Sequence, residues 1–261
     1  MKFEYKKSLG QNFLIDNNIK NKIIESINPT EKDLIIEIGP GAGSLTKELV
    51  KKNCDIICFE IDKRLEIELD KIKSNNLKII FEDFLKVNLN DYIEKKYERL
   101  FFVGNLPYYI TTAIINKIIN ESNPYEITIM IQKEVAQRFM AKPNSKAYGS
   151  LSIYLQYNFD ISKICDVSKN CFEPKPNVDS TVIVLKKKKN KSKVINEEQF
   201  YKLIKDSFRQ KRKNLRNNLK EYNCDLIEEI LKSFNKDLSR RAEEITIEEF
   251  IEISNRMSHD F

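Results

Sequence analysis

The sequence predicts an α/β fold, a parallel sheet wound with helices on both faces and followed by a small all-α domain. Three observations predict it. Five strand-length runs, at 33–39, 55–61, 77–81, 100–104 and 127–131, are apolar on both faces and alternate with helical patterns, notably 111–120 and 133–141. A glycine turn, Pro40-Gly41-Ala42-Gly43, follows the first run and opens a helix. Beyond a lysine-rich stretch at 186–197 that is nearly free of apolar residues, the chain is helical only, at 198–209, 212–220, 224–233 and 246–257.

Taken in order, residues 18–27 carry helical apolar spacing through Ile19, Ile23, Ile24 and Ile27. Ser44 is expected to cap a helix running to about Lys52, with Leu45, Leu49 and Val50 on one side. The second strand ends in acidic residues. A helix at 149–156 precedes two more strands, Phe159–Val167 and Thr181–Leu185, between which Phe172-Glu173-Pro174-Lys175-Pro176 reads as a rigid loop. The expected domains are 1–188 and 189–261. In a doubly wound sheet ligands collect at the carboxyl ends of the strands. Gly39, Glu60, Asp83 and Asn105 fall at four such ends, so they are expected to face one crevice.

With 261 residues, 41% hydrophobic and 32% charged, the chain can bury a large core and reads as a globular protein rather than a membrane one. The start of the chain shows no apolar signal region, and five cysteines form no C-x-x-C pair. A cytoplasmic location with reduced thiols is expected. Of the net charge of +6, residues 186–261 contribute +5, and residues 186–220 hold 14 basic against 3 acidic side chains. A basic block beside a near-neutral body is the footprint expected for a polyanion. The one histidine, His259, lies at the end of the chain, and no spacing suggests a metal site, so none is expected.

Glu37-Ile38-Gly39-Pro40-Gly41-Ala42-Gly43 places three glycines at alternate positions after a strand. The dinucleotide fingerprint wants its third glycine one residue later, where Ser44 stands. Such a loop lets a ligand approach the backbone at a helix start. Glu60, 21 positions after Gly39, suits both hydroxyls of a ribose. Asp83 suits the exocyclic amino group of an adenine. The spacing and Pro40 favour S-adenosylmethionine (SAM) over NAD.

Phe101-Phe102-Val103-Gly104-Asn105-Leu106-Pro107-Tyr108-Tyr109 reads as a buried strand stopped by Pro107, which offers no N–H to a ladder. An amide (Asn105), a carbonyl fixed by the proline (Pro107) and an aromatic face (Tyr108) suit a flipped adenine.

With these motifs in view, the chain resembles the ribosomal RNA adenine N6,N6-dimethyltransferases, the kasugamycin-resistance methylase family acting on small-subunit rRNA. The match runs almost end to end. Leu9-Gly10-Gln11-Asn12-Phe13-Leu14 is similar to the family's entry motif, which implies that Asn12 and Leu14 close over the cofactor. Glu37–Gly43 resembles its SAM loop, with Gly39 and Gly41 at the cofactor. Glu60 and Asp83 match its ribose and adenine contacts, and Asn105–Tyr108 its catalytic motif. Cys171–Ser180 is similar to a later signature loop, whose Phe172 would stack on the target base opposite Tyr108. Phe208–Leu219 and Arg240–Glu244 resemble its C-terminal helical domain.

The resemblance implies a Rossmann-like methyltransferase sheet and methyl transfer from SAM to the N6 nitrogen of two adjacent adenosines near the 3′ end of 16S rRNA. Asn105 Oδ1 and the Pro107 carbonyl would hold the two amino hydrogens and localise the lone pair. Placement should then supply most of the rate. Arg209, Arg212, Lys213 and Arg216, with Lys220, share a helix face by i, i+3 and i+4 spacing and would form a platform for rRNA phosphates. The expected partner is small-subunit rRNA in the subunit or its precursor, and the expected state is monomeric. The alternatives are an erythromycin-resistance methylase acting on 23S rRNA, or an assembly factor for which methylation is secondary. A DNA adenine methylase is disfavoured by Leu106, where that class has proline. An NAD oxidoreductase would lack a proton relay.

Overall fold

A computed structural model of the protein describes residues 11–259. The chain divides into two compact units. One takes the chain up to Ala136 together with Ser162–Lys187; the other takes Gln137–Ile161 and the chain from Lys188 onward. One boundary falls between Lys187 and Lys188, and residues 137–161 group with the C-terminal helices.

The first unit carries a seven-stranded sheet and a two-stranded ladder. Its elements in chain order are β1 (Phe13–Leu14), α1 (Asn17–Ser26), β2 (Leu34–Ile38), α2 (Thr46–Leu49), β3 (Asp55–Phe59), α3 (Glu66–Leu69), β4 (Leu77–Ile80), β5 (Leu100–Asn105), α4 (Thr111–Glu121) and β6 (Glu126–Gln132). Then follow α5 (Lys133–Phe139), which runs into the second unit, α6 (Ser150–Asn158), which belongs to the second unit, β7 (Phe159–Val167), which returns to the first, and β8 (Phe172–Glu173) and β9 (Ser180–Lys187) of the first. The strand order in the sheet is β4-β3-β2-β5-β6-β9-β7. The pairs β4–β3, β3–β2, β2–β5 and β5–β6 are parallel, whereas β9 runs antiparallel to β6. The expected sheet is thus parallel through its first five strands and mixed at the β6 side.

Burial explains why these runs are strands. Every residue of β2 is buried, and Leu34, Ile35 and Ile36 have no exposed surface. Each such side chain contributes about 1.5–3 kcal/mol through burial. Gly104 lets β5 lie against β2: a Cβ there would stand 2.6 Å from the Ile38 carbonyl oxygen. At the opposite end of these strands Arg99 Nη2 and Nε donate to Asp33 at 2.5 and 3.0 Å. Burial would raise the Asp33 pKa, but bonds from Arg99 and Thr30 bring it below the ordinary value.

The second unit continues with α7 (Glu197–Ser207), α8 (Leu215–Asn218), α9 (Cys224–Ser233) and α10 (Ile247–His259). Phe200, Leu203, Leu215, Ile227, Leu231 and Phe250 form its core with Tyr148 and Ile153, all without exposed surface. Asn196, Asn214 and Asn223 each accept a backbone N–H at the start of α7, α8 and α9, the capping bond that fixes those starts. The expected helix at 212–220 shrinks to the four residues of α8. Residues 208–213 turn instead, because the Asn218 side chain donates to the Ser207 and Gln210 carbonyls and holds the turn closed.

Candidate active site

The chain builds the sheet outward from β2 through β3 to β4, then returns to β2's other side with β5. A sheet opens a crevice at such a reversal, at the carboxyl ends of its strands. Gly39 and Gly41 follow β2, Glu60 follows β3, Asp83 follows β4 and Asn105 ends β5. All five line one cleft in the first unit, together with Asn12 and Leu14. Every residue expected to touch the cofactor is therefore brought together.

Gly39, Gly41 and Gly43 have φ of +69°, +60° and +77°, the left-handed region that favours glycine. Gly41 also lacks room for a side chain, since a Cβ would stand 2.5 Å from the Phe13 ring. At Gly39 a Cβ would meet no heavy atom within 4 Å, so the backbone here borders open space. Ser44 does not cap the following helix. Its hydroxyl donates to the Leu14 carbonyl at 3.2 Å, tying β1 to the glycine loop, and α2 starts at Thr46 without a side-chain cap.

Glu60 is 4% exposed and accepts from the Gly41 and Asp62 backbone N–H groups, each at 2.9 Å. Burial raises its pKa against these bonds. Asp83 Oδ1 accepts from Leu85 N at 3.0 Å, and its Oδ2 stands 4.0 Å from Lys86. Ile61, Phe84 and Leu85, next in sequence to these two acids, add apolar side chains to the cleft lining.

Asp62 went unread in the sequence, and Gln11 and Glu37 appeared there only within motifs, with no role of their own. Asp62 is bound by Arg64 at 2.6 and 2.9 Å and by Gln11 at 2.8 Å, and Arg64 foremost holds its pKa down to about 2. Gln11 thereby anchors the entry segment to the Glu60 loop. Glu37 lines the cleft from within β2. It accepts from Thr46 Oγ1 at 2.7 Å and Cys58 Sγ at 3.3 Å, and burial pushes its pKa up to about 7. The signal for it was a carboxylate inside an otherwise apolar strand.

Asn105 Nδ2 donates to the Asn12 carbonyl at 2.7 Å. This bond orients the amide, and among the described residues no donor reaches its Oδ1. Two expected placements change. The Pro107 carbonyl accepts from Ile110 N at 3.2 Å and Thr111 Oγ1 at 3.1 Å, so the turn into α4 uses both of its lone pairs. The Leu106 carbonyl, next to Asn105, takes no donor among the described residues. Phe172 does not line the cleft. It pairs with Leu14 in the β1–β8 ladder and is 4% exposed in the core, which leaves its faces to packing rather than to a base. The signature loop reaches the motif through Ser180 instead, whose fully buried hydroxyl meets the Tyr108 hydroxyl at 2.6 Å. Tyr108 lines the cleft half-buried, its pKa raised by burial.

In the helical unit Arg209, Arg212, Lys213 and Arg216 are exposed, but they do not share a helix face. The first three lie in the 208–213 turn and only Arg216 is in α8, where it pairs with Glu228 at 3.2 Å. Leu9 and Gly10 of the entry motif lie outside the described residues.

The geometry offers a cleft with carboxylates at two strand ends beside an oriented amide, and comparison with known proteins gives the fold and the family. A structure of a dimethyladenosine transferase from Plasmodium falciparum superposes with a TM-score of 0.78 at 24% identity, covering 94% of this chain and 97% of that one. The 23S rRNA methyltransferase ErmE does so at 0.75 and 23%, covering 95% and 100%. These two show a shared methyltransferase fold. Curated relatives are closer in sequence. Proteins named ribosomal RNA small subunit methyltransferase A from Clostridioides difficile and Bacillus cytotoxicus are 45% and 43% identical, over 97% and 98% of this chain and 91% and 92% of their own lengths. The family model described as ribosomal RNA adenine dimethylase matches residues 2–259, and the chain belongs to that family.

Proposed function

We propose that this protein transfers methyl groups from SAM to the N6 nitrogens of two adjacent adenosines, in a loop near the 3′ end of small-subunit rRNA, and thereby contributes to small-subunit biogenesis. The observation that carries the reading is the Asn105 amide, fixed by its Nδ2 bond to Asn12 so that Oδ1 is left as an acceptor at the cleft. Family membership and the relatives' names support the substrate class.

The residues present fit the donor. Open space beside Gly39, the buried Glu60 carboxylate, the apolar side chains of Ile61 and Phe84 and the Asp83 carboxylate match a methionine tail, a ribose, an adenine face and an adenine amino group. When bound, SAM supplies an electrophilic methyl group on a sulfonium. The protein's own part is to hold and orient the acceptor. Asn105 Oδ1 and the Leu106 carbonyl accept the two amino hydrogens, which favours a pyramidal nitrogen with a localised lone pair. The Tyr108 ring, its tilt fixed by Ser180, stacks on the everted base. Asn12 and Leu14 close over the donor, held by Gln11, Ser44 and the ladder to β8.

The C-terminal helical unit supplies rRNA phosphate contacts through Arg209, Arg212, Lys213 and Arg216, which position the substrate. The site of action is the cytoplasm, where small-subunit rRNA is assembled; among the described residues no helix is long and apolar enough to cross a membrane.

Mass spectrometry of rRNA from each purified ribosomal subunit, before and after incubation with the protein and SAM, tests this reading. Two dimethyladenosines appearing in small-subunit rRNA, and none with Asn105→Ala, is the expected result. Methylation of large-subunit rRNA alone would replace it with the erythromycin-resistance activity.

A further inference from the structure

Tyr109 is the aromatic residue that the fold leaves outside. Among the described phenylalanines and tyrosines it and Phe234 are exposed, at 65% and 38%. All others are buried or half-buried. Phe234 lies in the helical unit, whereas Tyr109 lines the cleft beside Tyr108. It makes no hydrogen bond, ion pair or ring contact among the described residues.

Its backbone is nevertheless fixed. The Ile110 N–H donates to the Pro107 carbonyl at 3.2 Å, which makes Tyr108 and Tyr109 the two central residues of a closed turn. Thr111 Oγ1 donates to the same carbonyl and joins the turn to α4. An exposed ring on a rigid turn loses little freedom when it is covered, so it suits a flat apolar face.

The cleft itself says what that face is. Everting one base takes a stacking partner away from the nucleotide next to it. A ring at the lip of the pocket can replace the lost partner. We propose that Tyr109 is a second base seat, which stacks on the nucleobase adjacent to the target adenosine in the same RNA strand while Tyr108 holds the target itself. The inference rests on the function proposed above and extends it. Because the two target adenosines are neighbours, the base in this seat in one round is the target in the other. Stacking is tolerant of base identity, so the seat accepts an adenine before or after methylation.

The test compares wild type, Tyr109→Ala and Tyr109→Phe with purified small subunits and SAM, measuring kcat and KM for the subunit and, separately, the Kd for SAM. Loss of one stacked base should lower kcat/KM of Tyr109→Ala by about 10- to 100-fold, with Tyr109→Phe within about twofold of wild type. The Kd for SAM should not change in either variant. An unimpaired Tyr109→Ala in an active enzyme overturns this inference alone. Equal losses in Tyr109→Ala and Tyr109→Phe also overturn it, since they point to the hydroxyl. A matching rise in the SAM Kd overturns it in favour of a structural role. A wild type inert on small subunits overturns the proposed function, and this inference with it.

Discussion

Glu37 is a carboxylic acid sealed inside a sheet, with Thr46 and Cys58 donating to one of its oxygens. Burial raises its pKa from 4.5 to about 7, and the nearby Glu60 charge adds to the rise. A group that binds its proton more tightly when folded stabilises the fold below its unfolded pKa and loses that contribution as pH rises through the folded value. Between about pH 4.5 and 7 the protein should therefore lose up to about 3 kcal/mol relative to Glu37→Gln, which carries no titration there. Denaturant unfolding of both proteins across this range measures it, and parallel curves would mean that Glu37 stays ionised. Asp62 acts with the opposite sign: its stabilisation is complete above 3.8 and fades as pH falls towards about 2, outside the Glu37 window. Ser180 and Tyr108 give a second prediction. Ser180→Ala and Tyr108→Phe delete the same hydrogen bond, worth about 1 kcal/mol, so each should lower kcat about fivefold through a looser ring. The double variant should be no worse than either single one. Additive losses in the double variant would mean that the two hydroxyls act separately.

Strands β2 to β6 were legible as apolar runs to within one or two residues; burial on both faces marks β2, β3, β5 and β6, whereas β4, at the sheet edge with Lys78 exposed, was legible from its apolar run alone. The glycine turn was legible because alternate glycines with φ above zero cannot be replaced by side chains. Direction was not legible: periodicity says which residues are buried but not that β9 runs antiparallel to β6. Nor were β1 and β8, two residues each, which exist only by pairing across more than 150 positions of chain. That pairing is why Phe172, an aromatic in a loop by sequence, ends in the core. The basic spacing at 209–220 fits a helix equally well, but asparagine side chains there bind backbone groups that a helix would use. At this scale Gly104 is the sharpest position. Gly104→Ala drives a Cβ into the Ile38 carbonyl at the junction of β2 and β5, and neither strand can yield without moving a loop that lines the cleft. The expected loss is about 1–3 kcal/mol with weaker SAM binding alongside. Thermal unfolding and calorimetry measure both, and an unchanged SAM Kd would separate the strand contact from the cleft.

Charge is the property that belongs to the whole molecule. Residues 186–261 hold +5 of the net +6, while the cleft at the strand ends has carboxylates and apolar groups in its lining. On the proposed function, holding a polyanion and holding a donor fall to different parts of the chain. Among the described residues no ion pair reaches Arg209, Arg212 or Lys213, whereas Arg216 is paired with Glu228. Unpaired cations release counterions from a phosphate chain, and each phosphate neutralised adds about 0.7–0.9 to the slope of log K against log salt. Replacing Arg209, Arg212 and Lys213 by Ala should therefore lower that slope by about 2–3 for small-subunit binding, and Arg216→Ala by less than about one. Phosphate contacts position the substrate without reading it, so KM for the subunit should rise while kcat at saturation holds. Binding measured at several salt concentrations decides it. An unchanged slope in the triple variant would show that this exposed turn faces water in the complex, and that the basic excess serves some other part of the surface.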